Sequence, residues 1–119
     1  MAKKTLNDYM LLFRGGASPE DMSPEQMRAT MNNWMTWMKG LKQSKQLTLG
    51  HPLQDAGKLL SGAKGKNVAP FSDGPESVGG YMLIKANTLA EATKIAKGCP
   101  IYNNGGTVEL RPIQQMPGM

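Results

Sequence analysis

The chain is poor in the side chains on which much protein chemistry depends. One histidine, His51, and one cysteine, Cys99, stand among 119 residues. A single cysteine forbids an internal disulfide, which fits a reducing cytoplasm. Cys99 also lies far in sequence from the histidine that a cysteine nucleophile needs, so it reads as a small packing residue after a helix. One histidine with scattered carboxylates offers no metal-ligand spacing, and glycine patterns for a dinucleotide or a phosphate loop are absent. Neither a metal nor a cofactor is expected. Long apolar runs are missing too. The run from Tyr9 to Phe13 follows Lys3 and Lys4 but is too short for a signal peptide and lacks its small-residue cleavage site. No stretch approaches the ~20 apolar residues of a membrane span. The expected location is cytoplasmic, with no membrane partner.

Aromatic residues make up 6% of the chain, and none is interleaved with the lysines as single-strand stacking requires. The formal charge of +5 is unevenly placed: residues 1–66 hold ten Lys and Arg against five Asp and Glu, and residues 67–119 hold four against four. Such an excess attracts anions. Lys39, Lys42 and Lys45, spaced at three, nevertheless read as the solvated stripe of a helix, and no nucleic-acid-binding signature accompanies them. Nucleic acid is not the expected partner.

What is present is the composition of one globular domain, 39% apolar and 19% charged. Residues 8–14 have apolar side chains on both faces of a strand, Tyr9, Leu11 and Phe13 on one and Met10 and Leu12 on the other, as in a strand covered twice. Ser23-Pro24-Glu25-Gln26 then opens a helix with a serine cap, a first-turn proline and an acceptor three residues on. Met27, Met31, Trp34, Met35, Trp37, Met38 and Leu41 follow at three- and four-residue steps, which predicts a broad core stripe on a helix running to about Lys45.

Leu47 and Leu49, with Leu53, suggest a strand interrupted at His51-Pro52, where the proline marks an edge or a bulge. Residues 58–61 and 67–71 flank a Gly- and Lys-rich turn and read as a small projecting hairpin with a basic tip. Ser72-Asp73-Gly74-Pro75-Glu76 is a turn by composition. The next strand, residues 81–86, sets Met82, Ile84 and Ala86 on one face and Tyr81 and Leu83 on the other. Thr88-Leu89-Ala90-Glu91 is a capping box for a helix that buries Leu89, Ala92, Ile95 and Ala96 and stops at Gly98. Residues 107–111 form a closing strand, and 113–119 read as a loose tail.

The order strand, helix, strand, strand, helix, strand predicts an α+β fold, a ferredoxin-like βαββαβ sandwich with an extra small β-hairpin, spanning residues 1–119 as one domain. Two helices cover one face of its sheet, and the apolar residues on the other call for a partner. A two-fold homodimer joined sheet to sheet is the expected answer.

Asp73-Gly74-Pro75, then Gly79-Gly80-Tyr81, Glu91-Ala92, Cys99-Pro100 and Glu109 with Arg111-Pro112 together resemble the YCII-related family, in particular its DGPF branch. The segments YMLLFRG and GHPLQ extend the resemblance over nearly the whole chain. One departure stands out: Glu76-Ser77 follows Pro75 directly, where the branch has a phenylalanine. The resemblance implies the dimeric α/β barrel arrangement of ferredoxin-like domains. It does not imply one common activity: members resemble small dehalogenase-like or lactone-isomerase-like enzymes, a His/Asp pair has been proposed as catalytic in the parent family, and related domains occur beside sigma factors.

For catalysis, His51 and Asp73 are the candidate pair, the imidazole to take and return a proton and the carboxylate to fix its tautomer. The alternative is a loop histidine and a turn-forming aspartate with no catalytic role. Arg14, Tyr81 and Arg111 are candidate ligand-binding residues for a small anionic or aromatic molecule. Arg111 pairing with Glu109, and Tyr81 serving as core, are the competing readings. Two functions follow: a homodimeric small-molecule-binding or regulatory protein, or a small cofactor-free enzyme using a His/Asp proton-transfer pair.

Overall fold

The structure, a computed structural model, describes residues 6–16, 19–71 and 76–116. Six strands and two helices follow in the order β1 (Asn7–Arg14), α1 (Pro24–Gln43), β2 (Leu47–Pro52), β3 (Lys58–Ser61), β4 (Asn67–Pro70), β5 (Val78–Ala86), α2 (Leu89–Lys97) and β6 (Thr107–Pro112). Four strands make an antiparallel sheet in the order β2-β5-β1-β6, and β3 and β4 pair separately as a hairpin. Without the hairpin, this is the expected ferredoxin-like βαββαβ arrangement.

Strand alternation divides the sheet as the sequence pattern predicts. Tyr9, Leu11, Phe13, Met82, Ile84 and Ala86 are buried under the helices, where Leu41, Ala92, Ala96, Cys99 and Ile101 complete the core. The other face carries Met10, Leu12, Tyr81 and Leu83, each half-buried, and the exposed Leu49. Among the described residues no second layer lies over these side chains, which stay partly in water.

Several boundaries differ from the sequence expectation. β2 runs through His51 and Pro52 rather than breaking there, because it is the sheet's edge strand, where the missing proline N–H leaves no ladder bond unmade. A bulge between Leu47 and Leu49 sends Leu47 to the helix side, opposite Ile84, and Leu49 to the open side, opposite Leu83. β5 begins at Val78, and its register against β1 shifts between Phe13 and Arg14, so that Gly79 is the unpaired residue. α1 ends at Gln43 rather than Lys45, which takes φ 62° in the turn that leads into β2.

Both helix caps are made, in different ways. Ser23 and Gln26 form a reciprocal capping box at α1. At α2 the Thr88 hydroxyl accepts from Glu91 N–H, but the Glu91 carboxylate does not reach back. It accepts instead from the Asn87 and Gln46 side-chain amides, tying α2 to the chain entering β2. Burial also falls short of the sequence stripe. On α1 only Leu41 is buried, Trp34, Trp37 and Met38 pack half-buried against the core, and Met31 and Met35 are 57% and 64% exposed. Leu89 of α2 is exposed as well. The chain after β6 is tied at its start by Ile113 N–H donating to the Asp8 carbonyl. Residues 117–119 of the expected tail lie outside the described residues.

Candidate functional site

The incomplete burial of α1 creates a cavity. Phe13, projecting from β1, meets Trp34 edge to face at 5.2 Å, and Trp34 meets Trp37 at 5.7 Å, so the three rings prop the helix above the sheet. Beside that prop, Met31, Trp34, Met35 and Met38 overhang the end of the sheet where β2 stops and β5 begins. The floor there is low because its residues are small. Gly50 lets Met82 lie across the strand, since a Cβ at position 50 comes within 2.5 Å of Met82 Cγ. Gly79 and Gly80 add bare backbone. The space left measures about 430 Å3, within the range of small-ligand sites, and its lining is almost wholly apolar. His51, Pro52 and Tyr81 complete the lining at the sheet edge.

A second depression of about 520 Å3 lies between α1 and the chain after α2, with Asn33, Trp37, Cys99 and Tyr102 in its wall. Its thiol is not a reactive group. Cys99 is buried, and burial pushes its pKa up to about 11, only partly offset by a backbone hydrogen bond at Ile101. Tyr102 donates its hydroxyl to the Ala96 carbonyl at 3.0 Å, and its pKa too is raised, first by burial and then by the neighbouring Cys99.

The residues singled out by sequence fall into two groups on the open face of the sheet. His51 on β2 and Tyr81 on β5 are cross-strand partners, and His51 Nδ1 lies 2.9 Å from the Tyr81 hydroxyl. The phenol donates when Nδ1 is the unprotonated nitrogen. Along the same row, Leu12 and then Glu109 follow across β1 and β6. Glu109 gathers the two arginines: Arg14 Nη1 bonds Glu109 Oε1, and Arg111 Nε lies 3.9 Å from Oε2. Arg14 also donates through Nε to the Glu76 carbonyl at 3.1 Å, which ties the end of β1 to the residues just before β5. The His51–Tyr81 pair thus occupies β2 and β5 and the arginine cluster the neighbouring strands β1 and β6, with Leu12 between Tyr81 and Glu109. Asp73, the proposed carboxylate partner of His51, lies outside the described residues.

Among the described residues no group of three or more His, Cys, Asp or Glu is placed to hold a metal ion, and no helix is long and apolar enough to cross a membrane. Sequence reasoning favoured core packing for the methionines and Trp34 of α1 and so missed the cavity. The available signal was the coincidence of that stripe with glycines at positions 50, 79 and 80.

Compared with known proteins, the chain matches the family model described as "YCII-related domain" over residues 9–117. No curated protein matches it. Among solved structures it is similar to 5-chloro-2-hydroxyhydroquinone dehydrochlorinase from Burkholderia phenoliruptrix, determined in complex with 2,5-dihydroxybenzoquinone. The TM-score is 0.50 and the identity 15%, over 91% of this chain and 95% of that one. At that identity the likeness is one of fold.

Proposed function

Because the chain belongs to the YCII-related domain family, we propose that it is a homodimeric small-molecule-binding protein whose cavity beneath α1 takes a compact aromatic or anionic ligand. The observation that carries this reading is the apolar cavity of about 430 Å3 roofed by Met31, Trp34, Met35 and Met38. Methionine thioethers adapt to different shapes at little cost, which suits a binding wall better than a rigid core. Homodimerisation through the open sheet face is part of the proposal. Met10, Leu12, Leu49 and Leu83 supply its apolar centre, with ion pairs at its margins.

A thermal-shift series with benzoate, salicylate, hydroquinone and 2,5-dihydroxybenzoquinone tests the cavity. A ligand at about 100 times its Kd adds about 2.7 kcal/mol to the native state, readily seen as a rise in Tm. Met38→Trp, which fills the space, abolishes the ligand-dependent rise while leaving the ligand-free protein folded. If no compound of the series raises Tm, the reading fails.

One observation favours a second reading, a cofactor-free proton-transfer enzyme: the 2.9 Å contact between His51 and Tyr81. A phenol on Nδ1 orients the ring and leaves Nε2 for chemistry, and Asp73, the carboxylate the sequence pairs with His51, is the second residue to substitute. The similar fold of a dehydrochlorinase makes chlorinated hydroquinones the substrates to assay. Chloride release that disappears in His51→Ala establishes this reading, and its absence in the wild type removes it.

A further inference from the structure

The helix that roofs the cavity carries cations and no carboxylate beyond its first turn. Between Glu25 and Asp55 the sequence contains no Asp or Glu, yet it contains Arg28, Lys39, Lys42 and Lys45. Three of these lie on α1 beside the cavity roof, by helical spacing: Arg28 is three residues before Met31, Lys39 four after Met35 and Lys42 four after Met38. Residues four apart are neighbours on a helix surface, so Lys39 adjoins Met35 and Lys42 adjoins Met38. All three cations are exposed, and none is in an ion pair among the described residues. The residues lining the cavity include no carboxylate from any element. An apolar chamber with unpaired cations at its lip matches a molecule that is apolar at one end and anionic at the other.

We infer that the ligand is an amphiphilic carboxylate, its apolar body under the methionines and Trp34 and its acid group at the lip against Lys39 and Lys42. The inference rests on the proposed binding role of the cavity and adds the chemical class of the ligand. The lysine stems lie along the methionine surface while their ammonium groups meet the acid in water. Such exposed contacts are individually weak and screened by salt, so the acid group tunes selectivity while apolar burial supplies most of the affinity.

The test compares a matched pair, 4-butylbenzoate and 4-butylbenzyl alcohol, by isothermal titration calorimetry on the full chain. The wild type is expected to bind the acid more tightly than the alcohol, with the preference shrinking as salt is raised. In Lys39→Ala/Lys42→Ala the acid-to-alcohol preference falls about tenfold. Both substitutions are on exposed helix positions, and unchanged circular dichroism confirms that the variant is folded. Equal binding of acid and alcohol in the wild type overturns the inference and leaves the cavity reading standing. Binding of neither overturns both. Sedimentation with phosphatidylglycerol vesicles without binding of the free acid overturns the inference in favour of a lipid surface.

Discussion

At the scale of single residues, Cys99 shows how position overrides chemical type. A thiol is reactive through its thiolate, and burial between α2 and the following turn withholds that form by pushing the pKa from its ordinary 9.0 to about 11. At pH 8 the native thiol should therefore react with iodoacetamide roughly a hundredfold more slowly than the same thiol in urea, since two units of pKa reduce the thiolate that much. Native alkylation as fast as in urea would sink this account. The same difference has a consequence for stability. Below pH 9 both states hold the proton and the contribution is fully present. Between pH 9 and 11 the unfolded chain ionises first, so stability falls as pH rises through that window. Cys99→Ala should show a shallower decline over the same range.

At the scale of elements, α1 is a helix whose start is specified locally and whose packing is not. Ser23 and Gln26 satisfy two backbone donors reciprocally, and Pro24 occupies a position where its missing N–H costs nothing. Ser23→Ala should lower stability by about 1 kcal/mol, read as a fall in Tm of about 4 °C, while leaving ligand binding intact. The periodic methionines and tryptophans made the helix legible, but periodicity says which residues share a face and not how closely that face meets the sheet. The Phe13, Trp34 and Trp37 rings decide the separation, and Met31 and Met35 stay exposed as a result. At α2 the local rule placed the helix correctly, and a tertiary contact then drew Glu91 away from its cap to Gln46 and Asn87.

At the scale of the whole molecule, two apolar surfaces stay uncovered among the described residues. The β3–β4 hairpin exposes Leu59, Leu60 and Val68, and the open sheet face holds Met10, Leu12, Leu49 and Leu83 around its centre. A sheet covered on one side and apolar on both is the reason for proposing a dimer. Leu12→Asp places a carboxylate at the middle of that face, near Glu109 on the adjacent strand. The wild type is expected to elute as a dimer in size-exclusion chromatography with light scattering, and the variant as a folded monomer. A wild type that is monomeric at micromolar concentration would refute the sheet-to-sheet assembly.

The sequence by itself determined the element order, the division of each central strand into two faces and the helix starts, and it narrowed the strand bearing Pro52 to an edge or a bulge. These follow from side-chain period, capping chemistry and proline's missing donor, all of which act over a few residues. It also carried the family, through spaced elements spread over most of the chain. The tertiary structure alone decided that His51 meets Tyr81, that Arg14 reaches Glu109, and that a cavity opens beneath α1. Those contacts join residues tens of positions apart through sheet register, and a bulge at Thr48 or Gly79 turns a side chain to the other face without changing the composition that announced the strand. The cavity is a difference between the height at which aromatic rings hold a helix and the depth of a glycine-rich floor. Neither quantity resides in any one segment.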